Sequence, residues 1–562
     1  MSVAMSGPIV LQPIQGTPMS AQSAFAVLLL LILFIPAQAA GQDPSSAAPG
    51  QAAPFEVVEA TIAEIHRAML EGRITARQLV LSYIDRITLY DAQGPSLNAI
   101  QAGHPGVLAR ADSLDAALAQ EGRLSGPLHG IAFIVKDNLD VVGLPTTAGS
   151  ALLAKAFPAD DAFLIRRILK AGGIVMAKGT MAEFSFNGAE TIGSAWTAYT
   201  FNPYSLNRVP AGSSGGTAVA IAANFGTVGL GTDTGSSIRG PASHTALVGI
   251  RPTMGLTSRY GIVPLYRDRD VGGPMARTVE DAVRVLDVIA GTDSADPATA
   301  AADAHRPPSY LSFLDGGALE GARLGVVTEL VSDTLADPRV MNQFRKAVLD
   351  LRAAGATVFD VSVPEIDTIS GERTCPRFAW DIPEWLASLP DPPARNIEEI
   401  LASGEFHPSV AEWLGTFQQF VGPPEENEGC IEAAKNAEVL QSGVRRALRA
   451  LDLDALVYPT WLNPPRLVGD LTSPDGNNSP LLAPPTGFPA ITVPMGFVAE
   501  RMLVGPGLPV GLQFLGDSWS EPRLFALAYA YEQATRHRKP PPTTPPLGGG
   551  STAPAPGLTP SR

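Results

Sequence analysis

The sequence predicts an α/β domain in which a β-sheet is covered by helices on both faces. Three observations lead there. Short apolar runs of strand length recur along the chain, stretches with helical periodicity lie between them, and no linker-like composition interrupts the chain from about residue 55 to 540. Such alternation of strand and helix patterns argues a sheet covered on both faces. With 562 residues, 45% hydrophobic and 17% charged, the chain has material for one large core.

The first forty residues differ from the rest. Ala24 to Ile35 is an unbroken apolar run, followed by Pro36 and the small-residue pattern Ala37-Gln38-Ala39. Such a run is shorter than the roughly 20 residues a bilayer span needs, and it reads as a secretory leader, residues 1–39, cleaved near Ala39. No Lys or Arg precedes it, and Met19 is an alternative start giving a leader of ordinary length. An uncleaved membrane anchor is the lesser alternative. Residues 40–54, rich in Ala, Gln, Pro and Ser, read as a flexible spacer, and the Pro- and Gly-rich tail 539–562 reads as disordered.

Within 55–538 the elements follow in order. Thr75-Ala76-Arg77-Gln78 is a capping box that opens a helix with Leu79, Val80, Tyr83, Ile84 and Ile87 on one face. Ile131 to Val135 reads as a strand ending at Lys136. Thr217 to Phe225 reads as a helix of small residues, Thr227 to Leu230 as a buried strand, and Thr278 to Ile289 as a helix. Strands are expected at Leu324–Val327, Thr357–Val363, Ala455–Tyr458 and Ile491–Pro494. Residues 366–450 break the rhythm with Trp380, Trp385, Trp413 and several prolines. This region reads either as an insertion walling a substrate pocket or as extra packing.

Composition excludes some functions. A net charge of −15 argues against a nucleic-acid footprint, which needs a basic face. Cys375 and Cys430 sit in no Cys-x-x-Cys or Cys/His cluster, and the seven histidines show no metal-ligand spacing, so no metal or other cofactor is expected. The two cysteines could form a disulfide in an exported chain or remain two buried thiols.

Three segments carry unusual chemistry. In Val135-Lys136-Asp137-Asn138 a lysine ends a buried strand. Burial there favours the neutral amine, a general base, unless a carboxylate such as Asp137 pairs with it. Ala211-Gly212-Ser213-Ser214-Gly215-Gly216-Thr217 is a glycine- and serine-rich turn before a helix. It suits an anion cradle or a plain capping turn, and it lacks the Lys-Ser/Thr pair of a nucleotide-binding loop. In Gly231-Thr232-Asp233-Thr234-Gly235-Ser236-Ser237-Ile238-Arg239 a buried strand feeds a polar turn. Consecutive N–H groups in such a turn form either an oxyanion hole or an ordinary strand-to-helix connection.

Together and in this order, the segments resemble the amidase signature family. The resemblance rests on Gly212-Ser213-Ser214-Gly215-Gly216, Gly229-Leu230-Gly231-Thr232-Asp233-Thr234, Ser237-Ile238-Arg239 and Val248-Gly249-Ile250-Arg251-Pro252-Thr253. Gly130 to Asp137, Asn202-Pro203-Tyr204, Gly487 to Pro494 and Leu508 to Gln513 extend it over most of residues 55–535. It implies a single large domain with a central mixed sheet. It also implies a triad in which Ser237 is the nucleophile, Ser213 (after a cis peptide) the bridge and Lys136 the terminal base. The backbone of Thr234, Gly235, Ser236 and Ser237 would bind the oxyanion, and Ser214, Asp233 and Arg239 would orient the loop. Ser236 stands where the family usually has glycine, which matters if that position needs a left-handed φ. His244 departs from the smaller or sulfur-bearing residue usual there and reads as a packed, hydrogen-bonded core histidine. Trp196 and Tyr199 read as core residues with an acyl pocket as the alternative.

The function expected is an exported serine amidohydrolase acting on a small or medium-sized, uncharged carboxamide. Carbamate or ester cleavage is the nearest alternative. From another class comes a partner-dependent amidase component of a transfer-RNA amidotransferase, and a catalytically dead binding protein is the third reading. The partner is then a small amide, carbamate or ester, with no nucleic acid and no stable membrane insertion after leader cleavage; a homodimer is left open.

Overall fold

The structure is a computed structural model that describes residues 55–547, apart from 196–198, 332–333, 370–374, 471, 475 and 501–504. The proposed leader, the spacer, Trp196 and the tail beyond 547 lie outside the described residues. The described residues belong to one compact unit.

Its centre is a mixed sheet of eleven strands among the described residues: β1 Ile100–Gly103, β2 Ala132–Lys136, β3 Ile174–Gly179, β4 Val228–Asp233, β5 Val248–Arg251, β6 Val271–Ala276, β7 Arg323–Val327, β8 Thr357–Val361, β9 Ala455–Pro459, β10 Ala490–Val498 and β11 Leu508–Leu515. They lie in the order β1-β3-β2-β4-β6-β5-β10-β11-β9-β7-β8. β2 runs parallel to β3 and β4, and β7 runs parallel to β8 and β9. The strands between these two groups pair antiparallel. Every residue of β2, β3 and β4 is buried, so both faces are covered, and the polar residues among them, Lys136, Lys178, Thr232 and Asp233, cluster at the strand ends.

The helices form where the local signals place them. Thr75 and Gln78 cap the helix Ala76–Tyr90 reciprocally. The same hydroxyl chemistry recurs at Thr278, whose side chain accepts from the Asp281 N–H to open the helix Val279–Ile289. The helix Gly215–Ala222 packs on β2, β3 and β4 with all its residues buried, which is why it is built from small side chains.

Two expectations need correction. The tail is not disordered from residue 539. The Arg86 guanidinium donates to the carbonyls of Thr544 (2.8 Å) and Pro545 (2.9 Å), and Tyr204 donates to Lys539 O (2.5 Å). Buried donors left by the domain thus tie the segment down as far as Pro545, which its Pro-rich composition concealed. The region 366–450 is largely helical rather than irregular, with helices Phe378–Ser388, Ile397–Ser403, Ala411–Phe417 and Glu428–Ala450. A disulfide joins Cys375 to Cys430 within it.

Candidate active site

Parallel pairing of β2 with β3 and β4 brings three strand ends to one edge, carrying Lys136, Gly179 and Asp233. The helix Gly215–Ala222 starts against that edge. A Cβ on Gly216 would stand 2.2 Å from Thr180 Oγ1, and one on Gly179 would stand 2.8 Å from Thr217 N. Only glycines allow this approach, and it draws Ser213 and Ser214 down onto the end of β2.

Lys136 is fully buried. Its Nζ lies 2.7 Å from Ser213 Oγ, 2.7 Å from Thr232 Oγ1 and 3.2 Å from Ser185 Oγ. Asn138 Nδ2 donates to the same Thr232 oxygen at 3.0 Å. Burial pushes the lysine down to about 7, against the opposing pull of Asp270 and Asp233. The alternative in which Asp137 pairs with Lys136 does not hold. Asp137 is bound instead by Lys178 at 3.0 Å, both side chains fully buried, and by the Thr147 hydroxyl. Successive side chains on an extended chain point to opposite faces, so the two neighbours have separate partners.

The serine loops meet above the lysine. The peptide Gly212–Ser213 is cis, and Ser213 is fully buried. The Ser214 N–H donates to Ser237 O at 3.3 Å and its Oγ to Thr232 O at 3.2 Å, while the Ala182 N–H donates to Ser213 O at 3.1 Å. Ser213 therefore touches Lys136 by its side chain while its neighbour is bonded to the Ser237 backbone. Ser237 itself is 4% exposed.

Asp233 fixes the turn that follows β4. It accepts from the backbone N–H groups of Ile238 (3.2 Å) and Arg239 (3.4 Å), from Arg239 Nε (3.1 Å) and from Arg251 Nη1 (3.1 Å). Burial raises this carboxyl, but the two guanidinium groups and the hydrogen bonds outweigh burial and hold it at about 2. Arg239 Nη2 donates to Gly235 O at 2.6 Å, and the Thr234 hydroxyl binds Asp270. Among the described residues, no protein acceptor takes the backbone N–H of Thr234, Gly235, Ser236 or Ser237. The turn that Asp233 ties down thus leaves four N–H groups, that of Ser237 included, without a protein acceptor. None of these residues has a left-handed φ, so serine at 236 carries no backbone strain.

Strain lies instead in the surrounding loops. Ala148 (φ 47°), Phe184 (φ 49°), Ser185 (φ 64°) and Ala211 (φ 65°) are all left-handed. Phe184 N–H donates to Ala148 O at 2.8 Å, and Ala148 N–H to Asp137 O at 3.0 Å, which joins them to the strand end that carries Lys136. Such conformations persist where neighbours over-determine them, and they concentrate at functional sites.

Sequence reasoning missed Ser185 and Glu183. Buried Glu183 accepts from Ser194 N–H (3.0 Å), Ser194 Oγ (2.9 Å) and His407 N–H (2.8 Å), tying the Ser185 loop to the region 366–450. Phe184 and Phe186 pack against Phe378 of that region, with ring centroids 5.6 and 4.9 Å apart. The helices of 366–450 therefore buttress the loop beside Lys136. His244 is packed, its ring 4.6 Å from that of Trp461, but neither ring nitrogen finds a hydrogen-bond partner of ordinary geometry among the described residues, unlike the hydrogen-bonded histidine expected. Burial pushes it down to about 3, so it is neutral. Tyr199 is half-buried, its carbonyl accepting from Asn98 Nδ2 at 3.1 Å.

A mixed sheet of this order, with a buried lysine hydrogen-bonded to serine at the strand ends, is shared with a class of amide-hydrolysing enzymes. The sequence model of the Amidase family matches residues 78–525, and the chain belongs to the amidase signature family. It is 34% identical to a probable amidase of Arabidopsis thaliana, over 86% of this chain and 92% of that one. It is 33% identical to a glutamyl-tRNA(Gln) amidotransferase subunit of Symbiobacterium thermophilum, over 85% and 97%. The crystal structure of native peptide amidase from Stenotrophomonas maltophilia superposes with a TM-score of 0.77 at 36% identity, covering 87% of this chain and 99% of that one.

Proposed function

We propose that the protein hydrolyses a small or medium-sized carboxamide through an acyl-enzyme on Ser237. The observation that carries this reading is the 2.7 Å contact between Ser213 Oγ and fully buried Lys136, which no carboxylate pairs among the described residues. Ser237 Oγ attacks the amide carbonyl carbon, passing its proton to Ser213 Oγ as Ser213 passes its own to the neutral Lys136 amine. The carbonyl oxygen becomes an oxyanion facing the N–H groups of Thr234, Gly235, Ser236 and Ser237. Collapse breaks the C–N bond, and the proton returns along the same serines to the leaving amine. Water then repeats the relay, freeing the acid and restoring Ser237.

Likeness to peptide amidase puts C-terminal carboxamides of short peptides first among substrates, with anilides, carbamates and esters next. The disulfide supports the exported location expected from residues 1–39, because oxidising compartments maintain such bonds. The amidotransferase relatives favour a second reading, in which activity depends on a partner. Assaying the isolated protein and Ser237→Ala on peptide amides, anilides, carbamates and esters separates the two. Unaided turnover, lost in the variant, supports the first. Turnover of none of these by folded protein would overturn it.

A further inference from the structure

Lys136 Nζ has three hydroxyl neighbours among the described residues, and the relay uses only one. A neutral amine offers two N–H donors and one lone pair, so three hydroxyl oxygens are the number it can engage. Ser213 must take the lone pair, because it delivers the proton. Thr232 and Ser185, at 2.7 and 3.2 Å, are left for the two N–H groups. We propose that Ser185 is a positioning residue for the reaction: its hydroxyl holds one N–H of Lys136 so that the lone pair stays on Ser213. The proposal rests on the triad reading above.

The backbone of Ser185 agrees with a side chain kept for use. Its φ of 64° is one that glycine takes without strain and serine does not. The conformation is enforced from both sides. Ser185 N–H donates to Ala182 O at 2.8 Å, Ala182 N–H donates to Ser213 O, and Glu183 anchors the loop to Ser194 and His407. Ser185 and Ser213 thus reach the lysine from two segments bonded to each other. The charged groups facing Lys136 have other partners. Asp233 is held by Arg239 and Arg251, Asp270 by Thr234 and the N–H groups of Leu265 and Tyr266, and Asp137 by Lys178. None competes with Ser185 for the amine.

The sign of the effect follows from donor counts. The protonated lysine has three N–H groups and loses more than the neutral amine when an acceptor is removed, so removal favours the neutral form. The test compares pH profiles of kcat and kcat/KM on a peptide amide for the wild type, Ser185→Ala, Ser185→Gly and Lys136→Ala. Both Ser185 variants are expected to move the acid limb to lower pH by about half a unit or more and to cut plateau kcat about tenfold, with KM unchanged. The glycine variant relieves the backbone, so a role confined to conformation would leave its acid limb at the wild-type position. Loss of activity in Lys136→Ala beside unmoved profiles in both Ser185 variants overturns the role of Ser185 alone. Full activity in Lys136→Ala overturns the triad itself. Melting curves of each variant confirm that the compared proteins are folded.

Discussion

Lys136 and Asp137 are adjacent in sequence yet bind different partners: Lys136 Nζ is 2.7 Å from Ser213 Oγ, and Asp137 Oδ1 is 3.0 Å from Lys178 Nζ. Lys178 on β3 holds that carboxylate, on the face opposite the lysine. What lowers Lys136 is its own burial, which leaves neutral amine available near pH 7 to accept a proton.

The buried amine should show in stability as well as in catalysis. Burial lowers Lys136 from 10.5 to about 7, so between those values the unfolded chain binds a proton that the folded chain does not. Stability from this group therefore rises with pH across that window, and at pH 7 the amine is a net cost. Lys136→Met should lower kcat by roughly a hundredfold to ten-thousandfold. Urea midpoints at pH 7 and pH 10 should also show a smaller pH dependence than in the wild type.

Asp233 should be the most costly single carboxylate to neutralise near the site. Asp233→Asn leaves Arg239 and Arg251 buried without their shared anion, at a cost of about 3–5 kcal/mol. Its folded value of about 2 lies below the ordinary 3.8. The stability it contributes is thus complete above about pH 4 and is lost as pH falls toward 2. The gap in Tm between wild type and variant should narrow from pH 7 to pH 3.

The ordered part of the tail should contribute to stability. Ending the chain at Lys539 strips two of the acceptors of the Arg86 guanidinium, those on Thr544 and Pro545. A loss of about 1–3 kcal/mol is expected by denaturant titration. An unchanged midpoint would contradict the packing of residues 540–547.

The disulfide closes a sequence separation of 55 residues around the helices that buttress the Ser185 loop. Paired Cys375→Ser and Cys430→Ser substitutions should cost about 4 kcal/mol on the chain-entropy account. Differential scanning calorimetry under oxidising conditions reads that loss directly.

The sequence made some of this legible and hid the rest for physical reasons. Buried strands such as β2 and β4 were readable because burial on both faces demands unbroken apolar runs. The strand β6 was not, because Val271-Gly272-Gly273-Pro274 looks like a turn. Its glycines answer to packing, since a Cβ on Gly273 would stand 2.2 Å from Ile250 O. Lys136, Ser213 and Ser237 stand out in the sequence through motif order alone, and the contact of Lys136 with Ser213 rests on strand pairing between distant segments. Ser185 carries no local signal. It reaches Lys136 across 49 residues of sequence, and only the folded loop of left-handed Phe184 and Ser185 brings it there.

Treating the protein with a fluorophosphonate and reading its intact mass, beside Ser237→Ala, tests the relay most directly. One adduct mapping to Ser237, absent from the variant and formed faster above pH 7 than below it, is the expected result. An adduct of equal extent on Ser237→Ala, or labelling fastest in acid, would contradict a Ser237 nucleophile activated by neutral Lys136.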